Sequence, residues 1–122
     1  MKVLISGSRT VNDAQRVSNA ISFISTLGNI EAIIHGGCTT GVDDICARIC
    51  KGLGLNTEVY PAIWSLYGKS AGPRRNRKMV AIADVVIIIP DYADLSLMSK
   101  GTKSVHDYAK QTSKLLYMFW NS

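Results

Sequence analysis

Long apolar runs are missing from this 122-residue chain. The longest, Val85–Pro90 and Leu115–Trp120, fall far short of the roughly 20 residues that a membrane-spanning helix needs. The segment before Gly7 is too short for the apolar core of a signal peptide, and neither repeats nor low-complexity tracts occur. These absences argue against membrane and repeat proteins, and they predict a soluble protein of the cytoplasm with no membrane partner.

Cysteine is also scarce: the three residues Cys38, Cys46 and Cys50 do not have the spacing of a disulfide framework. Cys46 and Cys50 fall in the apolar stripe of a predicted helix. A metal ion at that point would need further ligands, for which only His35 and Cys38 are candidates. We therefore interpret the helix thiols as buried structural groups and predict neither a metal ion nor a cofactor.

Acidic residues number only nine, against 14 lysines and arginines, and the net charge is +5. Five of the basic residues lie between Lys69 and Lys78, with no acid among them. Such a cluster is typical of a solvated helix face, but it also fits a clamp on an anionic ligand or a track for a phosphate backbone. Three aromatic residues near the cluster can stack on a base or simply pack: Tyr60, Trp64 and Tyr67.

Apolar runs alternate with stretches of helical period along the chain, in the order β-α-β-α-β-α-β-α-β. The clearest run, Val85–Ile89, has no polar alternation, which is typical of a strand covered on both faces. Hydrophobic residues make up 47% of the chain, a globular composition that at this length fits one domain over residues 1–122. We predict an α/β, Rossmann-like three-layer domain whose mostly parallel, five-stranded sheet has helices on both faces.

The boundaries of the predicted elements follow from caps and breakers. Asn12 or Asp13 can begin the first helix, and Gly28 suits its end. Pro73 suits the first turn of the helix that follows a long connection, Ala62–Gly72. The predicted strands are Val3–Ile5, Ala32–Ile34, Thr57–Tyr60, Val85–Ile89 and Leu115–Phe119.

Polar and glycine-rich segments directly follow the predicted strands, where ligands bind in open parallel sheets. Glycine lets the backbone approach a ligand, and the start of the next helix favours an anion, so these turns predict a phosphate site. Asp43 can bind a ribose hydroxyl, and Asn76 can orient a sugar or a base edge. The predicted ligand residues are Gly7, Ser8, Arg9, Gly36, Gly37, Thr40, Gly41, Asp43, Arg75, Asn76, Lys100, Gly101 and Thr102.

Two well-known phosphate motifs are absent. The dinucleotide fingerprint G-x-G-x-x-G does not occur in the sequence. Gly68-Lys69-Ser70 is similar to the end of a P-loop, but Ile63 occupies the position of the first P-loop glycine. The chain is therefore neither a standard NTPase nor a standard NAD enzyme.

The motifs together resemble the YspA-like (YpsA-related) branch of the SLOG superfamily, which is distantly related to the LOG phosphoribohydrolases. The resemblance runs from about Val3 to Phe119, and it is most specific between Pro61 and Met79. It implies a Rossmann-like fold and a pocket for nucleotides or nucleotide-derived small molecules. The matching blocks are Gly7–Arg9, His35–Asp43, Tyr60–Met79, Asp84 and Ser99–Thr102.

The chain departs from the LOG pattern at the residue that carries catalysis. The LOG enzymes have P-G-G-x-G-T-x-x-E with a catalytic glutamate, and alignment on Gly101-Thr102 places Val105 at that position. Valine can neither give nor take a proton. A longer segment, Pro90–Lys100, replaces the P-G-G part, and Thr40 stands where the YspA-like pattern favours arginine.

Three functions stay open from the sequence. The favoured one is a sensor, carrier or sequestering protein that binds a nucleotide or a nucleotide-derived phosphorylated small molecule. A nucleoside-monophosphate N-glycosidic hydrolase would need a catalytic carboxylate from Asp43, Asp91 or Asp107. Single-stranded DNA binding would use Lys69–Lys78. The resemblance also implies a homodimer or higher oligomer, to which Leu115–Trp120 can contribute.

Overall fold

The computed structural model describes residues 1–90 and 99–119. The strands form a five-stranded sheet in the order β3-β2-β1-β4-β5, and every pairing in it is parallel. The strands are β1 (Lys2–Gly7), β2 (Ala32–His35), β3 (Thr57–Val59), β4 (Val85–Ile89) and β5 (Leu115–Met118). The helices are α1 (Ala14–Ser25), α2 (Gly41–Leu53), the short α3 (Trp64–Tyr67), α4 (Ala71–Ile82) and α5 (Lys100–Gln111).

Helices cover both faces of this sheet. In β1, Val3 and Ile5 pack in the core cluster that contains α1 and α2, whereas Leu4 packs in the cluster that contains α4 and α5. In β4, Ile87 and Ile88 divide between the two clusters in the same way. Both faces are buried, which explains why the strands are apolar without alternation. The predicted α/β, Rossmann-like sandwich is confirmed, with a sheet that is parallel throughout.

Local hydrogen bonds explain where the elements begin and end. Asp13 is the N-cap of α1, as predicted, because its carboxylate accepts the Arg16 N–H at 3.1 Å. The helix ends at Ser25, before the predicted Gly28. There the hydroxyls of Ser25 and Thr26 donate to backbone carbonyls at 2.9 and 2.6 Å and compete with a further helical turn.

The long connection after β3 is more ordered than predicted. It contains α3 and one 3₁₀ turn, Gly68–Ser70, and α4 begins at Ala71 with Pro73 in its first turn. Most of the predicted loop Pro90–Lys100, including Asp91, lies outside the described residues, as does Trp120 at the end of the predicted contact segment.

β1 lies at the point where the order of strands reverses. Its neighbours are β2 on one side and β4 on the other, and the covering helices change from one face of the sheet to the other. The loops that leave the carboxyl ends of β1 and β4 therefore diverge and leave a crevice between them. The candidate site occupies this crevice.

Candidate functional site

A cavity of about 550 Å³ opens at the carboxyl ends of the strands. Its walls come from the segments after β1, β2 and β3, from one side of α4 and from the start of α5. The predicted ligand residues that line it are Gly7, Ser8, Arg9, Gly36, Gly37, Asp43, Arg75, Asn76, Gly101 and Thr102. Segments far apart in sequence thus meet at one edge of the sheet.

Three predicted ligand residues do not line the cavity: Thr40, Gly41 and Lys100. Thr40 is the exposed N-cap of α2, and Lys100 is exposed at the first position of α5. Gly41 packs against the loop after β1. Its φ is +72°, and a Cβ there would contact the backbone of Ser8 and Arg9. Gly41 therefore lets α2 begin directly against the cavity wall.

Backbone N–H groups in the turn after β2 are hydrogen bonded to side chains of the protein. The Gly37 N–H donates to His35 Nδ1 at 3.1 Å, and the Cys38 N–H donates to Asp43 Oδ2 at 3.1 Å. These N–H groups already have acceptors within the protein. What the glycines of this turn contribute to the cavity is therefore space. A side chain at Gly36 would contact the Arg75 guanidinium.

Asp43 and His35 are a partly buried acid and a buried base behind this turn. Burial raises the pKa of Asp43, against the opposing effects of the Cys38 N–H and nearby positive charge. Burial likewise lowers the pKa of His35, and the Asp43 charge opposes that shift. Since His35 Nδ1 accepts the Gly37 N–H, the neutral ring carries its proton on Nε2, which has no partner among the described residues.

Arg75 is the best-anchored cation of the cavity. Its Nη1 donates to the carbonyls of Gly36 at 3.0 Å and Tyr60 at 3.2 Å, and its Nε donates to Asn76 Oδ1 at 2.8 Å. Buried Asn76 also donates from Nδ2 to the Gly101 carbonyl at 3.4 Å. Arg75 Nη2 makes no hydrogen bond within the described ranges 1–90 and 99–119. The guanidinium is therefore held on two edges, with one nitrogen left for a ligand.

A second guanidinium increases the positive potential of the cavity. Burial lowers the pKa of Arg75, and the charge of Arg9 lowers it further, against the attraction of Asp43. Arg9 is exposed in the loop after β1 and lines the same cavity. Two cations that repel one another across one cavity are stabilised by an anion between them.

The carboxylates proposed as catalytic do not all line the cavity. Asp43 is the one carboxylate among the described residues that line the cavity. Asp107 lies away from the lining, on α5, and pairs with His106 at 3.0 Å. Val105 is only 1% exposed and packs in the core cluster of α4 and α5. Asp91 lies outside the described residues.

Some lining residues were not among the ligand residues predicted from the sequence. Thr10 and Met79 line the cavity, and Thr10 Oγ1 lies 2.9 Å from Ser8 Oγ. Thr10 could have been found from the sequence as a second hydroxyl residue, two positions after Ser8 and beyond the end of the strand. Met79 follows Arg75 by one helical turn on α4, so helical periodicity from Arg75 would have found it.

The cysteines of α2 are buried and adjacent. Cys46 Sγ lies 4.0 Å from Cys50 Sγ, and the hydrogen bond to Cys50, together with burial, raises the pKa of Cys46. Within the part of the chain that the structure describes, no group of three or more His, Cys, Asp or Glu residues could hold a metal ion. Within the same part, no helix has both the length and the apolar character needed to cross a membrane.

Comparison with known proteins points to one family. The family model described as "YspA, cpYpsA-related SLOG family" matches residues 1–67. The chain is also similar to the Gene 61 protein of Mycobacterium phage D29, with 37% identity over 98 residues that cover 73% of this chain and 76% of the phage protein. No solved structure matches significantly. The matched segment ends before α4, which supplies Arg75 and Asn76.

Proposed function

Since the chain belongs to the YspA, cpYpsA-related SLOG family, we propose that its crevice binds a nucleotide or a nucleotide-derived phosphorylated small molecule. Membership of this family is compatible with nucleotide-related binding. The chain would act as a sensor, a carrier or a sequestering protein, with residues 1–122 as one domain. The observation that carries the proposal is the anchored Arg75 guanidinium in the cavity.

The anchoring of Arg75 makes it a favourable group for binding an anion. Three hydrogen bonds already define its orientation, so little side-chain entropy remains to be lost when an anion binds. Its Nη2, which makes no hydrogen bond to any residue that the structure describes, and the nearby Arg9 offer charge-assisted hydrogen bonds to phosphate oxygens. Ser8 and Thr102 add hydroxyls to the same cavity. Asn76 serves this arrangement indirectly, because its Oδ1 accepts from Arg75.

We expect Arg75→Gln to weaken binding of nucleoside monophosphates about tenfold or more, because a charge-assisted hydrogen bond is lost. Isothermal titration with a panel of nucleoside monophosphates and ADP-ribose measures this directly. Arg77→Gln is the matched control, because Arg77 lies on the same helix and bonds to the Tyr108 hydroxyl away from the cavity. Its affinities should stay within about twofold of the wild type.

Two results would overturn this proposal. One is a wild-type protein that none of the panel ligands binds. The other is an Arg75→Gln protein that remains folded by circular dichroism and binds as the wild type does. Arg75→Lys distinguishes charge from geometry, because lysine keeps the charge but cannot reproduce the two-edged anchoring.

A nucleoside-monophosphate N-glycosidic hydrolase is the alternative. It is supported by the Asp43 carboxyl in the cavity, whose pKa is raised by burial. Against it, Asp43 Oδ2 already accepts a backbone N–H, and buried Val105 occupies the position of the LOG glutamate. Release of free base from the same panel, abolished by Asp43→Asn, would establish the hydrolase. Binding without base release favours the binding protein.

Single-stranded DNA binding is the second alternative, and the outer surface of α4 and α5 supports it. Arg74, Arg77 and Lys78 are exposed there, and no salt bridge within residues 1–90 and 99–119 involves them. The side chains instead lie over tyrosine rings, at 4.5 Å for Arg74, 5.2 Å for Arg77 and 5.3 Å for Lys78. Their charge is therefore available to a phosphate backbone.

A further inference from the structure

The three aromatic residues near the basic cluster have different surroundings in the structure. The Tyr60 hydroxyl donates to Glu58 at 2.9 Å, and the Lys78 amine lies over the ring. The Tyr67 ring is covered by the Arg74 guanidinium, 4.5 Å from its centroid. Trp64 alone of the three lines the cavity, and its side chain remains 56% exposed. The tyrosines thus have intramolecular partners, whereas Trp64 presents a large aromatic surface to the crevice.

The start of α4 defines the position of the Trp64 ring. Gly72 is buried there, and a Cβ on it would lie 3.2 Å from Trp64 Cη2 and 3.9 Å from Cζ2 and Cζ3. The six-membered part of the indole therefore rests against the Gly72 backbone. A large aromatic side chain that is seated on a rigid helix yet largely exposed is a favourable surface for a planar ligand.

Trp64 and Arg75 both line the cavity, and α4 positions both side chains. Gly72, which contacts the indole, precedes Arg75 by three residues on α4, so both positions are on one side of the helix. Pro61 and Ala62 complete the cavity wall on the side of Trp64.

We propose that Trp64 is the stacking surface for a heteroaromatic base, and that the ligand class is therefore nucleoside phosphates rather than sugar phosphates or inorganic phosphate. This inference rests on the proposed function, because it takes the phosphate to be bound at Arg75. Stacking on an aromatic side chain contributes to the affinity for any base, so base identity must be read by other groups.

The test compares two probes that differ only in the base, adenosine 5′-monophosphate and ribose 5-phosphate. The wild type should bind the first about tenfold or more tightly than the second. Trp64→Ala should remove that preference and leave the affinity for ribose 5-phosphate within about twofold. Trp64→Phe should retain most of the preference. Tyr67→Ala, in the same short helix, is the matched control and should change neither affinity.

A second variant moves the ring without removing it. Gly72→Ala places a methyl group against the indole, while alanine is otherwise favourable within a helix, so folding should be retained. We expect the base preference to fall and the affinity for ribose 5-phosphate to persist. In a Trp120→Phe background, tryptophan emission reports on Trp64. It should be quenched by adenosine 5′-monophosphate and not by ribose 5-phosphate.

The outcomes separate this inference from the proposed function. If ribose 5-phosphate and adenosine 5′-monophosphate bind equally well, and both need Arg75, then the phosphate site stands and Trp64 is not a stacking surface. If Trp64→Ala weakens both probes by the same factor, its role is structural and the inference is wrong. If neither probe nor any other nucleoside monophosphate binds, the proposed function and this inference fail together.

Discussion

Arg74, Arg75 and Arg77 look alike in the sequence, and their different surroundings explain the candidate site. Successive residues of a helix point about 100° apart, so the three side chains leave α4 in different directions. Arg74 lies over Tyr67 and Arg77 over Tyr108, both outside the cavity. Of the three, only Arg75 reaches the edge of the sheet, where the carbonyls of Gly36 after β2 and Tyr60 after β3 accept hydrogen bonds from it.

Glycine at position 7 is required by close packing. A Cβ there would contact the Ile89 carbonyl and the Val42 side chain, and the backbone of the central strands cannot move away cheaply. We expect Gly7→Ala to lower the free energy of unfolding by roughly 1 to 3 kcal/mol. Urea denaturation followed by circular dichroism measures the change.

Gly52→Ala is the control for that measurement. No atom of the described residues lies within 4 Å of a Cβ at this helical position, so alanine should raise the free energy of unfolding by about 0.5 to 1 kcal/mol through its better helix propensity. A Gly7→Ala protein as stable as the wild type would contradict the packing described at the end of β1.

At the scale of elements, the helix starts that face the carboxyl edge of the sheet are capped in different ways. Asp13 caps α1 and Ser99 caps α5 through side-chain oxygens that accept backbone N–H groups. Thr40 begins α2 without a side-chain cap. At the start of α2 the Val42 N–H instead donates to the Ser8 carbonyl at 3.2 Å, so a backbone group of the neighbouring loop does the work of a capping side chain.

This difference predicts unequal costs for two similar substitutions. Asp13→Ala removes a hydrogen bond to the Arg16 N–H and should lower the free energy of unfolding by about 1 kcal/mol. Thr40→Ala removes no such bond and should cost less than half as much. Thermal and urea unfolding of both variants, at one pH and salt concentration, gives the comparison. Equal losses would mean that the cap at Asp13 does not stabilise α1.

At the scale of the whole molecule, charge is distributed unevenly. Lys2 and Arg48 pair with Glu58 and Asp44, whereas no salt bridge in the described part of the chain involves the cations exposed on α4. Lys103 of α5 is also exposed. The layer of α4 and α5 therefore has an uncompensated positive outer surface, which steers anions towards this side of the molecule.

We expect this surface to bind a single-stranded oligonucleotide weakly, with the logarithm of the association constant falling linearly with the logarithm of salt concentration. Combining Arg77→Gln, Lys78→Gln and Lys103→Gln should reduce that slope by about two, since each phosphate contact contributes roughly 0.7. Arg48→Gln with Lys51→Gln, on α2, is the control and should leave the slope unchanged. Fluorescence anisotropy across a salt series makes the measurement. Equal slopes in the two sets would mean that the cations of α4 and α5 are not the contact.

Much of the fold could be predicted because its signals are local or periodic. Val85–Ile89 is apolar at every position and is a central strand covered on both sides. Asp13 caps the first helix as predicted, because capping depends on a few neighbouring residues. The short helix Trp64–Tyr67 was missed, since four residues carry too little periodicity to be recognised.

The sites at the strand ends were predictable as a group, because parallel strands bring the turns that follow them to one edge of the sheet. The partners within that group were not predictable. His35 and Asp43 accept the Gly37 and Cys38 N–H groups of the glycine turn that the sequence predicts to bind phosphate. These contacts depend on where the start of α2 lies relative to the turn after β2, which sequence spacing does not specify.

The sequence alone determines the alternation of apolar runs and helical periods. This pattern in turn determines the parallel sheet and the edge at which a ligand can bind, because backbone geometry leaves few other ways to bury the apolar side chains. Only the packing of α4 on the sheet distinguishes Arg75 from the other arginines and Trp64 from the other aromatic residues. Rotation of a helix about its axis, and the room left by Gly36 and Gly72, are set by packing between residues distant in sequence.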